Sequence, residues 1–527
     1  ADVRLAMLAL LGAVGCVLLI ACANVTNLLL SRSAARQREL AMRAALGAGR
    51  MRLVRQLLTE SVLLGLAGGA TGTLLAALAI KSIIHIAPSV PRIGEVAIDW
   101  RVLGFTLAVS LAVSLLFGLA PALSAARADL NDALKGGSPT ATTKNRVLRN
   151  TLATAELALS LVLLTGAGLL TQSLWKLEHI DTGVVAEHVL TTNVYLSRKH
   201  YSTPQREAFF ENLLDRVASI PGVIAAGAAA GLPPYRTVAG SAAVDGRPVQ
   251  EGPADQVSFK DVTPGYFEAL RIPLRAGRFV APQDRRRPDV AVVNEALARH
   301  FFPGEDAIGK RITSKFDRTR TIVGVVADVK NRGVQDPAQP ELYRLDQDGN
   351  LSVLVIRTAG DPQALASLVR EQVRSLDRNT PLTFRTMTEQ MDKEFTSQRF
   401  NSILLSSFAA IALLLAAIGI YGVMSYLVSQ RRREIGIRMA LGARTNQVLR
   451  LVIGHALRLV AAGVAVGVGL AVGLTRYLKT LLYGVTATDA LTLCSVAFLM
   501  AAVALSASYF PALRASRVDP SKTLRCE

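Results

Sequence analysis

The chain has 527 residues, 51% hydrophobic and 19% charged, with 59 Lys and Arg against 40 Asp and Glu for a formal net charge of +19. The apolar content, with a mean hydropathy of +0.35, excludes an ordinary soluble protein, and the charge excludes a chain lying wholly in the bilayer. The basic residues fall in short stretches between apolar runs, a pattern of membrane topology, so no nucleic-acid partner is expected. Cys16, Cys22 and Cys494 lie inside apolar runs and Cys526 near the C-terminus, which leaves neither a disulfide framework nor a Cys-x-x-Cys metal site.

The first apolar run is too long and too poorly flanked for a signal peptide, and the chain is read as a fragment missing its true N-terminus. A bilayer core of about 30 Å needs roughly 20 apolar residues in a helix. Seven runs meet that need: Leu5–Leu30, Ser61–Ile86, Val102–Ala125, Thr151–Leu170, Ser402–Val428, Leu451–Leu478 and Ala490–Leu513. Glycines four apart, Gly65/Gly69 and Gly68/Gly72 in the second run and Gly463/Gly467 in the sixth, suit close helix packing in lipid. Basic clusters follow the first, third, fifth and seventh runs, so those ends are expected in the cytoplasm and the start outside. The polar stretch from Trp175 to Gln398 then lies outside. In it, β-branched runs such as Val290–Asn294 and Thr321–Val326 alternate with helix-like Gln205–Ile220 and Pro362–Leu376, which predicts an α/β or α+β domain. The fold class expected is therefore mixed: an α-helical polytopic membrane protein with about seven spans and one such soluble domain.

The strongest signal is an internal repeat. Arg38-Glu39-Leu40-Ala41-Met42-Arg43-Ala44-Ala45-Leu46-Gly47-Ala48 returns as Arg433-Glu434-Ile435-Gly436-Ile437-Arg438-Met439-Ala440-Leu441-Gly442-Ala443. Pro121-Ala122-Leu123 with Arg127 and Asp129 returns as Pro511-Ala512-Leu513 with Arg517 and Asp519. The chain thus reads as two related halves, the first lacking an opening span and soluble insert. The repeated loop fits a short surface helix in which Glu39 pairs Arg43 and Glu434 pairs Arg438 at i, i+4. A purely topogenic loop would need only Lys and Arg; the matched detail favours a surface that docks a cytoplasmic partner.

At these residues the sequence resembles the MacB/FtsX-type permeases of ABC transporters, whose hallmark segment is matched by Arg433–Ala443. The tandem arrangement resembles the duplicated orphan permeases. Pro264-Gly265-Tyr266-Phe267, Val292-Val293-Asn294-Glu295, Phe302-Pro303-Gly304-Glu305 and Ile308-Gly309-Lys310-Arg311 are similar to that family's periplasmic core domain. The resemblance implies four parts: 1–135, three closing spans of a first FtsX-like half; 136–174, a cytoplasmic connector and the first span of the second half; 175–400, a MacB-like periplasmic core domain; and 401–527, a second three-span domain. It implies a multi-pass protein of the bacterial inner membrane, coupled to a separate cytoplasmic ABC ATPase dimer for export or mechanotransmission. Membrane lipids, and a periplasmic adaptor or other envelope partner, complete the expected partners. The ATPase-docking residues it implies are Arg38, Glu39, Arg43, Gly47, Arg433, Glu434, Arg438 and Gly442. Ala41 stands where the second copy has Gly436, which puts equal docking of the two loops in doubt. The competing reading is a non-transporting regulator of an envelope enzyme.

Other motifs resolve to plainer expectations. Gly304–Arg311 approaches a phosphate-binding loop, but Arg311 stands where a magnesium-ligating Ser or Thr is required, so it is read as a turn. The six histidines show no metal-binding spacing and no nucleophile elbow appears, so no enzyme activity, metal or cofactor is expected. Glu156 is read as reaching the membrane interface or complementing the helix N-terminus at the start of its span, and Lys144–Arg149 as an interfacial segment or plain anchor.

Overall fold

The computed structural model describes residues 2–35, 50–86, 98–126, 139–234, 238–244, 256–286, 289–314, 317–331, 333, 335–431, 434–435, 437–438, 441, 445–478, 482–486 and 488–516. The chain divides into two compact units, Ala1–Lys176 with Ser397–Glu527, and Leu177–Thr396.

All seven apolar runs form helices. The first four are α1 (Asp2–Ala35), α2 (Arg50–Ile86), α3 (Trp100–Ala126) and α4 (Pro139–Glu178). The soluble unit follows as β1 (Val189–Asn193), α5 (Thr203–Ala218), β2 (Val223–Ala229), β3 (Val238–Val244), β4 (Gln256–Val262), α6 (Tyr266–Leu270) and β5 (Leu274–Gly277). It continues as β6 (Val290–Asn294), α7 (Glu295–Phe301), β7 (Arg311–Ser314), β8 (Asp317–Val326), β9 (Glu341–Leu345), β10 (Val353–Thr358), α8 (Ala366–Leu376) and β11 (Phe384–Thr386). Last come α9 (Met387–Gln430), α10 (Thr445–Leu478) and α11 (Ala490–Ser516). Among the described residues six helices are long and apolar enough to span a bilayer; the apolar part of α3, Trp100–Leu115, falls below that length. Two helices outrun their apolar runs the most: α4 has 40 residues and α9 has 44, or ~60 and ~66 Å at the α-helical rise.

In the membrane unit α4 is the most enclosed span, with 67% of its apolar window buried against 0% for α2. One core joins Leu157 and Leu161 of α4 to Ala416 and Ile420 of α9, Ala456 and Val460 of α10, and Met500 and Ala504 of α11. A second joins Ile20 of α1 to Leu163 of α4 and Ala409 of α9. The glycine pairs act as seats: Gly467 lies against Ala158 and Leu161 of α4, and Gly65 and Gly69 lie against Ser114 and Ser110 of α3. A side chain at Gly68 or Gly72 would meet nothing within 4 Å among the described residues.

The soluble unit is a mixed α+β domain. Its strands follow the order β11-β1-β10-β2-β4-β3-β7-β8-β6-β9, with β5 on β8, and β9 also pairs in parallel with β4. The segment from β4 through β9 therefore closes into a ring of six strands, which removes the open edge such a sheet would present. The antiparallel β11-β1-β10-β2 part carries α5 and α8 on one face, over Leu190, Phe210, Leu213, Ile356 and Val369. On the opposite face α6 brings Tyr266 and Phe267 into a core with Val189, Val262 and Val355. Asn294 starts α7 because its Oδ1 accepts from the Leu297 N–H at 3.0 Å, and from the Glu341 N–H at 2.9 Å.

Candidate functional site

The repeated loop is described only in its second copy, and there in part. After α9 the helical pattern persists, with Ile435 N–H donating to Arg431 O at 2.8 Å and Leu441 N–H to Ile437 O at 3.0 Å. Arg438 Nη2 donates to Glu434 Oε1 at 2.6 Å, and Arg431 Nε stands 4.0 Å from Oε2. Ile435 is buried while Glu434, Ile437 and Arg438 are exposed, and Leu441 is 82% exposed. The segment thus roots one side chain and offers an ion pair beside two bare aliphatic ones. An exposed i, i+4 pair contributes only ~0.3–0.5 kcal/mol, too little to be a structural staple. Arg38, Glu39, Arg43, Gly47, Arg433 and Gly442 lie outside the described residues.

A second constellation runs inside the helix bundle. Glu156 is 1% exposed, and the Asn24 side chain of α1 donates to its Oε1 at 2.5 Å and to Leu415 O of α9 at 2.7 Å. Gly419 of α9 completes the site, since any side chain there would meet the Glu156 carboxyl and Asn24 Oδ1. Toward the N-terminal end of α4, buried Arg149 donates to Asn27 O at 3.0 Å and its guanidinium lies 3.6 Å over the Tyr426 ring. Further along, Ser160 donates to Ala412 O at 3.2 Å and Thr171 meets Ser402 at 3.1 Å. Arg149, Glu156, Ser160 and Thr171 fall on one stripe of α4 at helical spacing, so a polar line faces α1 and α9.

This corrects two expectations. Glu156 neither reaches out of the bundle nor complements the start of the helix, because it is buried against Asn24 and stands four to five turns along α4. Arg149 is not a flanking anchor but packs in the bundle. Asn24, Asn27 and Tyr426 were not singled out from sequence; two asparagines three apart inside an apolar run were the available signal.

In the soluble unit Lys260 is fully buried on β4, its Nζ 3.3 Å from Glu341 Oε1 of β9 and 2.8 Å from Asn331 Oδ1. Tyr343 OH donates to Glu341 Oε2 at 2.7 Å, and the Asn331 amide donates to the same oxygen. Burial pushes Lys260 below its ordinary pKa, and the Glu341 carboxylate opposes the shift. Gly304–Arg311 forms a turn, with Gly304 and Gly309 at φ of 77° and 78° and Lys310 paired to Glu305 at 2.8 Å. Among the described residues no group of three His, Cys, Asp or Glu is placed to hold a metal.

Comparison with known families separates the same parts. The FtsX-like permease C-terminal family matches twice, at residues 11–130 and 406–520, and the MacB-like periplasmic core domain matches residues 157–376. The chain belongs to the MacB/FtsX-type permeases. Relatives of this permease include the macrolide export ATP-binding/permease protein MacB of Azoarcus sp., 30% identical over 283 residues, covering 50% of this chain and 41% of that protein. Another is the MacB of Bdellovibrio bacteriovorus, 27% identical over 285 residues, covering 50% of this chain and 43% of that protein. A third is the probable syringafactin export ATP-binding/permease protein SyfD of Pseudomonas syringae pv. tomato, 30% identical over 288 residues, covering 50% and 41%. The match thus spans less than half the length of these relatives, and it falls on their permease part. Among solved structures, the periplasmic region of MacB from Actinobacillus actinomycetemcomitans aligns at 13% identity and a TM-score of 0.29, covering 41% of this chain and 96% of that one.

The two FtsX matches begin 395 residues apart, at 11 and 406, the same offset that carries Arg38 to Arg433. At that offset Asn24 corresponds to Gly419 and Asn27 to Gly422. In this MacB/FtsX-type permease, Glu156 therefore lies between two equivalent positions of the repeat, bonded to one and given room by the other.

Proposed function

We propose that this chain is the permease of an ABC transporter driven by a separate cytoplasmic ATPase, which couples ATP hydrolysis to work done by the extracytoplasmic unit. Arg38–Ala48 and Arg433–Ala443 are the two docking segments, one for each subunit of an ATPase dimer. The observation that carries this reading is the second segment's surface: the Glu434–Arg438 pair beside exposed Ile437 and Leu441, rooted by buried Ile435. Charged groups flanking a small apolar patch give orientation and burial together. The parts work as 1–135 and 401–527, the two repeated three-span domains; 136–174, the connector and span between them; and 175–400, the periplasmic core. Seven spans, with both docking segments inside, suit a bacterial inner membrane. Export or mechanical work on an envelope partner is the outcome of that coupling, and the export roles named for the relatives favour export.

The test is recovery of an ABC ATPase with the complete protein from mild detergent, comparing wild type with Glu434→Arg/Arg438→Glu and the matching reversals at Glu39 and Arg43. Recovery that is lost on reversal, with the permease still folded, is expected. Folded wild type that recovers no ATPase, even when candidate ATPases are added, would sink the proposal.

A further inference from the structure

Arg149 brings a permanent positive charge into the helix bundle, and among the described residues no carboxylate is paired with it. The residue is 3% exposed. Its Nη2 donates to Asn27 O and its guanidinium lies over the Tyr426 ring, but its Nε and Nη1 are buried with no hydrogen-bond partner among the described residues. Asn27, also 3% exposed, is idle in the same way, since neither Nδ2 nor Oδ1 of its side chain has a partner there. The nearest carboxyl along α4, Glu156, stands seven residues away, about 10 Å of helical rise, and is bonded to Asn24. A guanidinium does not shed its proton, and a buried charge without a counter-charge is among the costliest groups a fold can hold. One carbonyl and the face of a tyrosine ring supply only part of what it needs.

The three residues gather at one end of the bundle. Asn27 stands next to the last residue of the span Arg4–Leu28, Arg149 is the third residue of the span Val147–Glu178, and Tyr426 comes just before the end of α9 at Gln430. The end of a span lies at the depth of the lipid headgroups, whichever way the chain is inserted. Lys144 and Arg146, just ahead of Arg149 in the chain, add positive charge to the same stretch of sequence. Val147 and Leu148 are exposed, so this turn of α4 reaches the edge of the bundle, where lipid lies.

We propose that Arg149 and Asn27 bind the headgroup of an anionic phospholipid, whose phosphate accepts from Arg149 Nε and Nη1 and from Asn27 Nδ2 while a headgroup hydroxyl donates to Asn27 Oδ1. Idle donors beside one idle acceptor suit a phosphoglycerol headgroup: the phosphate accepts and carries the missing negative charge, and the glycerol hydroxyl donates. A zwitterionic headgroup brings its own cation to the phosphate and so withholds the charge that Arg149 lacks. The donors are covered in this structure, so a seated headgroup exchanges slowly and stays with the protein through washing. Nothing in the ATPase-docking reading enters, and the two fail separately.

The test is native mass spectrometry of the full chain washed in mild detergent, titrated with phosphatidylglycerol or with phosphatidylcholine of the same acyl chains. Retention of one phosphatidylglycerol per chain, with phosphatidylcholine washed away, is expected. Arg149→Gln should need about tenfold more phosphatidylglycerol, a ratio equivalent to about 1.4 kcal/mol. Arg514→Gln is the control: it removes an exposed arginine that donates to Tyr421 OH and should leave retention unchanged. Asn27→Asp sets a carboxylate beside the guanidinium, so it should end retention while raising the thermal midpoint in phosphatidylcholine above that of wild type. It decides the matter even where Arg149→Gln fails to fold. Equal retention of the two lipids, retention untouched by Arg149→Gln, or an Asn27→Asp variant that still holds the lipid would each overturn the proposal. So would millimolar inorganic phosphate raising the wild-type midpoint as far as phosphatidylglycerol does, which would show that the anion comes from water.

Discussion

Glu156 shows how much a single side chain can ask of its neighbours inside a membrane. Its carboxyl is buried, and the Asn24 amide, 2.5 Å away, is the donor that answers it. Losing a buried partner costs ~1–3 kcal/mol in water-soluble folds, and interhelical hydrogen bonds in bilayers average nearer ~0.6 kcal/mol with a ceiling of ~2. Asn24→Leu is therefore expected to lower stability in detergent by about 1 kcal/mol. Glu156→Gln, which keeps an acceptor for Asn24, should stay close to wild type, and Glu156→Ala should fall below both. Thermal or denaturant midpoints on purified protein decide the order; Asn24→Leu as stable as wild type would remove the hydrogen bond from the account. In the soluble unit Asp346 makes the opposite demand. Burial first, with Asp261 adding to it, raises its carboxyl above the ordinary value of 3.8, against backbone N–H bonds from Asn350 and Asp348. A raised carboxyl adds nothing unfavourable below that value and destabilises the fold as pH climbs through the raised one. Asp346→Asn keeps the oxygen that accepts from Asn350 N–H, so it should increase hydrogen-exchange protection of the Asn350 amide at neutral pH and leave it unchanged in acid. Wild-type protection that is flat across that range would rule the linkage out.

Elements were legible where their signal is local. Val290–Asn294 reads as a strand from its β-branched run and forms β6 with those bounds, and all seven apolar runs are helical. The extra turns of α4 and α9 escaped because hydropathy marks only where a helix meets lipid, while their polar extensions remain helical without an apolar signature. The ring closure was equally hidden, since β4 and β9 pair in parallel across some 80 positions of chain and such pairing leaves no mark in either strand. Lys260 makes the point chemically: a lysine in a strand reads as a solvent-facing residue, yet its partner Glu341 stands on the strand that closes the ring. Removing one member of a buried pair typically costs ~3–5 kcal/mol, whereas replacing both by apolar groups can be neutral. Lys260→Met is thus expected to destabilise the soluble unit by about that amount, and Lys260→Met/Glu341→Leu to recover most of it. Exchange or thermal unfolding of the β4–β9 region measures this; a double variant no better than the single would show that the pair is not an isolated unit of Coulombic balance.

At the scale of the whole molecule, the repeat was plain in the sequence and its unequal use was not. The duplicated loops are identical at seven of eleven aligned positions, but only the packing reveals that the glycine seat filled by α4 on α10 meets nothing on α2 among the described residues. Only packing, again, shows that Asn24 and Gly419 flank one carboxyl. Two copies in one chain free each from the symmetry that would bind two identical subunits, and here the helix contacts as well as the loop sequences differ between the copies. That contrast bears on how an ATPase dimer would be held. With the two proposed docking segments in one polypeptide, the second contact would form at high effective concentration, and losing it would lower apparent affinity by ~10²–10⁴-fold without touching the first. Reversing Glu434 and Arg438 alone should therefore leave weak, salt-sensitive ATPase binding, and reversing Glu39 and Arg43 as well should abolish it. Titration of the ATPase against permease in lipid nanodiscs separates the cases. Complete loss from the single reversal would mean that one segment does all the holding, and that the first copy keeps its loop for another reason.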